Sequence, residues 1–172
     1  GTIGKLGCLS FNGNKIITTG GGGMILTNDK KLAKEAKYLV SQAKDNSLRY
    51  IHNDVGYNFR LTNMQAALGL AQLENYKKFK KKKNQIHQFY KSKISEIKGL
   101  ELASLPNYSD NNKWLNILKI NTKIYKMEVL AVIKKLKKKN IETRPIWYPN
   151  HLQKKFKTYQ KYKINNAIKL LN

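Results

Sequence analysis

The chain has 172 residues and a formal net charge of +24, because 34 Lys and Arg residues stand against only 10 Asp and Glu. A chain of this length can bury a core of its own, so it does not need disulfides to fold. The single cysteine, Cys8, excludes an internal disulfide and a multi-cysteine zinc site. We therefore expect no metal, and we expect Cys8 to pack as a small apolar side chain. No apolar run approaches membrane-spanning length and no secretory signal is found, so a soluble cytoplasmic protein is expected.

The basic charge allows a second interpretation, a lysine-rich nucleic-acid-binding module. Only three of the basic residues are arginines, Arg49, Arg60 and Arg144, although arginine is the preferred reader of bases and phosphates. Lysines are densest at positions 77–83 on a predicted helix, where a solvated face and a phosphate-binding patch are both open. We expect neither a nucleic-acid partner nor a membrane partner. Binding with a steep salt dependence would instead identify the nucleic-acid module.

In chain order, the first stretch predicts short strands separated by turns. The apolar runs at 6–11, 16–19 and 24–27 predict strands. They are separated by Asn12-Gly13-Asn14, where Asn-Gly is a strong turn signal, and by the four glycines at 20–23. This arrangement places Lys15 at the exit of a tight turn.

Lys15 is the candidate nucleophile of this stretch. Its neighbours are small or apolar, and partial loss of hydration disfavours the ammonium form. A neutral amine can attack a carbonyl and form a Schiff base. Ser10 offers a hydroxyl, and the bare N–H groups of glycines 20–23 suit a phosphate. The alternative is that Lys15 is a solvated surface lysine and that the glycines form a flexible hairpin tip.

The remaining elements follow from apolar periodicity and capping signals. The spacing predicts helices over 30–43, 63–97 and 126–139, and strands over 114–120 and 141–143. Asp29 and Thr62 are the predicted caps of the first two helices, and Gly99 is the predicted end of the second. Residues 44–61 lack a period but contain aromatics, so we expect a long ordered loop. Gly69 and its alanine neighbours make the long helix slim, which suits close packing against another helix or subunit.

The segment 144–151 presents large side chains on a stiff backbone. Pro145 and Pro149 bracket Trp147 and Tyr148, and Arg144 precedes them. Aromatic rings and a guanidinium suit stacking on a sugar or base and binding a phosphate. The alternative is that the two rings close the core of a small domain.

Three motifs in order resemble the DegT/DnrJ/EryC1/StrS family of pyridoxal-phosphate-dependent sugar aminotransferases. They are Ser-Phe-Asn-Gly-Asn-Lys at 10–15, Gly-Tyr-Asn-Phe-Arg at 56–60 and Ile-Glu-Thr-Arg-Pro-Ile-Trp-Tyr-Pro at 141–149. The resemblance implies an α/β fold, the C-terminal portion of a fold-type-I aminotransferase. It places the end of the large cofactor-binding domain at 1–62, and the linking helix with a truncated small domain at 63–172. Family members are longer at both ends, so we expect a fragment.

The resemblance also implies roles for individual residues. Lys15 would hold pyridoxal 5′-phosphate as a Schiff base, Ser10 would bind its phosphate, and Asn58 would reach the phosphate of the partner subunit in a homodimer with shared active sites. Weaker candidates for substrate contacts are His52, Arg60, Arg144, Trp147, Tyr148 and His151. An interface salt bridge is equally open for Arg60, and a buried hydrogen-bonded loop histidine is the favoured alternative for His52.

The implied activity is transfer of an amino group from glutamate to a 4-keto-6-deoxy nucleotide sugar, for bacterial amino-sugar and polysaccharide biosynthesis. The motifs look most like the subgroup that acts on UDP-linked 4-keto-6-deoxy-N-acetylhexosamines, and the nearest competitor is a GDP-4-keto-6-deoxymannose aminotransferase. In the family, the residues that stack on the cofactor ring and pair with its pyridine nitrogen precede the lysine and are not in this chain. An inactive aminotransferase fragment is therefore a third alternative.

Overall fold

The structure, a computed structural model, describes residues 3–171 and divides into two compact units. The first unit comprises Gly1–His87 and Tyr108–Trp114, and the second comprises Gln88–Asn107 and Leu115–Asn172. Both units combine helices with two-stranded antiparallel sheets, two in the first unit and one in the second among the described residues. The predicted α/β class is confirmed.

The first sheet pairs β1 (Gly7–Ser10) with β2 (Gly23–Leu26), in a register that sets Gly7 opposite Leu26 and Ser10 opposite Gly23. The strands predicted over 6–11 and 24–27 are therefore confirmed.

The strand predicted over 16–19 is wrong, because this segment lies inside the loop that joins β1 to β2. Two backbone hydrogen bonds of Phe11 hold this loop: its N–H donates to the carbonyl of Gly22 at 3.0 Å, and its carbonyl accepts the N–H of Thr19 at 3.0 Å. These bonds close the loop on itself and leave no ladder for a third strand.

Helix α1 (Lys30–Leu39) begins at the predicted cap, where the Asp29 carboxylate accepts the N–H groups of Lys31 and Leu32 at 2.8 and 3.2 Å. It ends before the predicted residue 43, because Gln42 and Ala43 have positive φ angles of 70° and 48°.

Ala43, at the end of that turn, is fully buried. A Cβ added to Gly56 would lie 2.1 Å from the Ala43 nitrogen, so only glycine permits this approach of the following loop.

The loop that follows is ordered, as predicted, and contains the short strands β3 (Lys44–Asn46) and β4 (Ile51–His52). The Asp45 carboxylate accepts the Tyr38 hydroxyl at 3.0 Å and the Asn53 N–H at 2.7 Å. The bond from Asn53 is the main cause that lowers the pKa of Asp45. The pKa of Tyr38 is raised, mainly by desolvation and, to a smaller extent, by its hydrogen bond to Asp45.

The predicted long helix is two helices, α2 (Asn63–Glu74) and α3 (Tyr76–Ser95), with the break at Asn75. The Asn75 side-chain amide donates to the carbonyl of Ala71 at 2.9 Å, so the backbone N–H of Asn75 turns to Gln72 at 3.2 Å. An asparagine side chain here replaces the i to i−4 backbone bond and interrupts the helix.

The predicted start of α2 is confirmed, since Thr62 and Gln65 form a reciprocal capping box. The predicted helix runs to residue 97, two residues beyond Ser95, where α3 ends.

In the second unit, β5 (Leu100–Leu102) pairs antiparallel with β6 (Leu118–Ile120). Only the last three residues of the strand predicted over 114–120 are therefore extended in a ladder, and β5 was not predicted. Three helices follow in the described part of this unit, α4 (Thr122–Tyr125), α5 (Val129–Lys137) and α6 (Asn165–Lys169), with 3-10 turns at Asn150–Leu152 and Lys154–Phe156.

Helix α5 confirms the central part of the helix predicted over 126–139. The strand predicted over 141–143 is wrong, since that segment has no regular structure. Asn140 has a positive φ of 58°, and the N–H of Ile141 donates back to Leu136 at 3.0 Å, so the chain folds onto the helix end.

Much apolar surface is exposed in the part of the chain that the structure describes. Cys8 is exposed, contrary to the expectation that it packs inside, and the sheet that contains it has two strands among the described residues. Within residues 3–171, no helix combines the length and apolar character needed to cross a bilayer.

Candidate active site

Lys15 lies at the exit of the tight turn that the sequence predicted. Its N–H donates to the carbonyl of Asn12 at 3.0 Å, which closes the turn over Asn12-Gly13-Asn14-Lys15. The Lys15 side chain is half-buried, whereas the three preceding turn residues are exposed. The turn therefore projects a lysine out of an exposed loop and into a partly covered place.

The side chain that partly covers Lys15 is Trp114, a contact that was not predicted from the sequence. The Lys15 Nζ lies over the Trp114 ring, 3.4 Å from the ring centroid. The indole N–H of the same side chain donates to the carbonyl of Asn14 at 2.7 Å. A cation over an indole face is attracted by the ring quadrupole. No local signal could have joined these residues, which are about a hundred positions apart.

The segment that presents Trp114 is held by helix α3. The Lys80 ammonium pairs with the Asp110 carboxylate at 2.5 Å, and the Lys83 ammonium donates to the carbonyl of Trp114 at 3.3 Å. Trp114 also donates its backbone N–H to the Asn112 side chain at 3.0 Å. Two lysines of the dense cluster at 77–83 thus have a structural role within the chain.

The ion pair between Lys80 and Asp110 persists over a wide pH range. Its hydrogen bond raises the pKa of Lys80 above the usual 10.5 and lowers the pKa of Asp110 below the usual 3.8. A lowered acid pKa contributes stability above the unfolded value, which is lost as pH falls through the folded pKa. A raised lysine pKa contributes stability below the unfolded value, which is lost as pH rises through the folded pKa. Both contributions are therefore fully present at pH values between the unfolded pKa of the aspartate and the unfolded pKa of the lysine.

Helix α2 packs against the loop that joins β1 to β2, here called the lysine loop because it contains Lys15. Thr19 is 4% exposed, and its hydroxyl donates to the carbonyl of Gly21. A Cβ added to Gly69 would lie 2.9 Å from the Thr19 Cγ2, closer than real Cβ contacts allow. The slim face predicted for this helix therefore packs against the lysine loop of its own chain.

The phosphate-binding candidates lie at exposed positions of the first unit. Ser10 ends β1, and its hydroxyl accepts the N–H of Asn12 at 3.4 Å. Asn58 is exposed and forms an isolated antiparallel bridge with Ser41. The flanking rings of Tyr57 and Phe59 stack with centroids 5.0 Å apart, on the other side of the extended segment.

The two weaker candidates of the same loop differ in how they are held. His52 is exposed, so the expectation of a buried histidine is wrong, but its Nδ1 does form a hydrogen bond with the carbonyl of Gln42 at 2.7 Å. Arg60 is also exposed.

The remaining candidates lie in the second unit, in the irregular segment after α5. The Arg144 guanidinium donates through Nε and Nη2 to one oxygen of Glu142, at 3.1 and 2.6 Å. Trp147 and Tyr148 are 68% and 52% exposed, so the alternative that they close a domain core is wrong. His151 is half-buried, and its Nε2 is enclosed without a hydrogen-bond partner among the described residues.

Residues of the first unit suit two groups of pyridoxal phosphate, its aldehyde and its phosphate. The half-buried Lys15 supplies a primary amine, which is the group that condenses with an aldehyde. The exposed Ser10 hydroxyl stands at the end of β1, next to the same loop, and can donate to a phosphate oxygen. Residues for the ring face and the pyridine nitrogen are not identified within the described part of the chain.

The sequence matches the family model described as the DegT/DnrJ/EryC1/StrS aminotransferase family over residues 1–171. EpsN of Bacillus subtilis strain 168, whose name assigns it provisionally to the pyridoxal phosphate-dependent aminotransferases, is 38% identical over 91% of this chain and 39% of its own length. GDP-perosamine synthase of Escherichia coli O157:H7 is 37% identical over 95% of this chain and 44% of its own length.

Two solved structures share the fold. The structure of DesI in the presence of its TDP-sugar product has a TM-score of 0.84 at 22% identity, over 99% of this chain and 43% of DesI. Helicobacter pylori PseC, described as an aminotransferase involved in the biosynthesis of pseudoaminic acid, has a TM-score of 0.80 at 22% identity, over 97% of this chain and 46% of PseC. The chain thus spans less than half the length of these proteins.

Proposed function

Because the chain belongs to the DegT/DnrJ/EryC1/StrS aminotransferase family, we propose that it forms the C-terminal part of a pyridoxal-phosphate-dependent enzyme that aminates a nucleotide-linked keto-sugar. The observation that carries this proposal is the presentation of Lys15 by a closed turn, half-buried against Trp114. Most lysines of a basic protein extend into water, whereas this one is half-buried in the loop that follows Ser10 at the end of β1.

In the proposed site, each residue has a separate task. When bound, pyridoxal phosphate supplies an electron sink for the reacting amino group. Lys15 would hold the cofactor through its primary amine and, as a free amine, would accept and return the proton that moves during the transfer. Ser10 donates to the phosphate, and Asn58 donates to the phosphate of the partner subunit in a homodimer.

We propose glutamate as the amino donor and a UDP-linked 4-keto-6-deoxy sugar as the acceptor. The resemblance of Asn-Gly-Asn-Lys at 12–15 and Glu-Thr-Arg-Pro-Ile-Trp at 142–147 to the subgroup that acts on UDP-linked 4-keto-6-deoxy-N-acetylhexosamines supports the choice of acceptor. A GDP-linked acceptor is the second candidate, because relatives from Escherichia coli and Caulobacter vibrioides that are 37% and 36% identical are GDP-perosamine synthases. Assays of the full-length enzyme with UDP- and GDP-linked keto-sugars decide between them.

The test of the proposal is the loss of cofactor binding on substitution of Lys15. In the full-length protein, Lys15→Ala and Lys15→Arg should both abolish the yellow absorbance of the bound cofactor and the transamination, because neither side chain can condense with an aldehyde. Gel filtration should show an unchanged oligomer.

Lys5→Ala is the matched control, since Lys5 is an exposed lysine just before β1. It should keep both the absorbance and the turnover. A Lys15→Ala enzyme that retained the native rate would remove the proposal.

A further inference from the structure

The side chain of Trp114 makes two contacts with the turn over residues 12–15, here called the lysine turn. The face of the ring carries the Lys15 Nζ at 3.4 Å from its centroid, and the N–H at the ring edge donates to the Asn14 carbonyl at 2.7 Å. One contact is with the reactive group and the other is with the peptide just before it. A residue that only filled space would need neither.

The ring itself has little freedom to leave this position. Trp114 is half-buried, its backbone N–H donates to Asn112, and its carbonyl accepts the Lys83 ammonium. Asp110, earlier in the same segment, is paired with Lys80. Helix α3 therefore fixes the segment, and the segment fixes the ring over the turn.

A lysine side chain is long and samples many rotamers, so an amine that is not bonded to anything leaves its working position readily. Under the proposed function, Lys15 is unbonded for part of every cycle, after the amino donor has displaced it. During that interval, a contact that retains the amine near the reacting carbons matters most.

We propose that Trp114 is a positioning residue for Lys15, holding the free amine over its ring face and the turn through its indole N–H. This role rests on the proposed function. The contact itself does not, because it exists between residues of this chain without any cofactor.

The contact is tested on the full-length protein prepared without cofactor. Reductive methylation with ¹³C-formaldehyde converts lysines to dimethyl-lysines, and the Lys15 signal is the one that Lys15→Arg removes. A ring 3.4 Å from Nζ should shift this signal upfield by its ring current. Trp114→Leu should return it to the position of exposed lysines, and Trp114→Phe should retain a smaller upfield shift.

Lys44 provides an internal control, because its Nζ lies 4.8 Å from the centroid of the Tyr50 ring in the same unit. Its signal should stay in place in the Trp114 variants, which verifies that the unit remains folded. A Lys15 signal that coincides with exposed lysines in the native protein, or that Trp114→Leu leaves unmoved, overturns the proposal.

The positioning role is tested separately, with the cofactor-loaded full-length enzyme in a single turnover with glutamate. Trp114→Leu should slow the donor half-reaction by about tenfold while the retention of cofactor stays unchanged, and Trp114→Phe should restore most of the rate. An unchanged rate in Trp114→Leu overturns the positioning role.

The two proposals fail in different ways. An upfield Lys15 signal in a protein whose cofactor binding does not depend on Lys15 overturns the proposed function and, with it, the catalytic meaning of the contact. A yellow, Lys15-dependent enzyme without the upfield signal overturns only the role of Trp114.

Discussion

At the scale of single residues, Lys15 and Asn58 have proposed roles that one experiment can separate. In the proposal, Lys15 would act on the cofactor of its own subunit, and Asn58 would act on the phosphate of the partner's cofactor. Asn58 is exposed, and its backbone forms an isolated bridge with Ser41, which a side-chain substitution leaves intact.

Asn58→Ala in the full-length protein should weaken cofactor retention by about 1–3 kcal/mol, because a charged phosphate oxygen loses a donor. The measurement is the dissociation constant of pyridoxal phosphate, with Asn53→Ala as the control asparagine of the same loop. A mixed dimer of Lys15 and Asn58 variants should keep one intact site. If the mixed dimer is inactive, Asn58 does not act across subunits.

The lysine turn could be predicted from sequence because its signals are local. Asn-Gly favours a turn whatever surrounds it, and the hydrogen bond from Lys15 to Asn12 spans three residues. The contact with Trp114 could not be predicted, since it depends on how distant segments pack. The exposure of His52 and Cys8 was missed for the same reason: burial belongs to the assembly of elements rather than to the residue.

At the scale of elements, the packing of α2 against the lysine loop depends on one missing methyl group. Gly69 faces the Thr19 methyl, and an added Cβ would lie 2.9 Å from it. Thr19 is buried and bonded through its N–H to Phe11, so it cannot readily move away. Opposing this, alanine is favoured over glycine inside a helix by about 1 kcal/mol.

Gly69→Ala should therefore destabilise the protein when Thr19 is present and stabilise it when Thr19 is replaced by serine. Serine keeps the hydroxyl and removes the methyl group that the new Cβ would meet. The measurement is the midpoint of urea unfolding of the full-length protein in all four combinations. Equal effects of Gly69→Ala in both backgrounds would mean that the two residues are not in contact.

The helix starts at which a side chain caps the backbone were predicted correctly. The break at which a side chain interrupts a helix was missed. Asp29 and Thr62 accept backbone N–H groups at the predicted helix starts. Asn75 breaks the long helix by competing for a backbone carbonyl, an effect that the apolar period does not reveal. The strand predicted over 141–143 fails because its first N–H is already bonded to Leu136 of the preceding helix.

At the scale of the whole molecule, the first sheet has two strands and no third among the described residues. Leu9, Met24 and Ile25 are 44–48% exposed on it. Two-stranded sheets are marginally stable in water, and exposed apolar strands favour aggregation. The net charge of +24 opposes both aggregation and compaction.

The isolated 172-residue chain should consequently keep order from about residue 63 onward, while residues 1–27 should be ordered only in the full-length protein. Titration with pyridoxal phosphate should show weak binding that Lys15→Ala does not change, as for any lysine-rich protein. Tight binding that Lys15→Ala abolishes would show that the cofactor-binding residues have been misplaced.

Lys15 is one of 31 lysines in this chain, and we propose that it is the one that holds the cofactor. The most direct measurement is borohydride reduction of the cofactor-loaded full-length protein, which fixes the cofactor covalently to its lysine, followed by peptide mass spectrometry. We predict one stoichiometric pyridoxyl group, on the peptide that contains Lys15. A pyridoxyl group on a different lysine, or one spread thinly over many lysines, would contradict it.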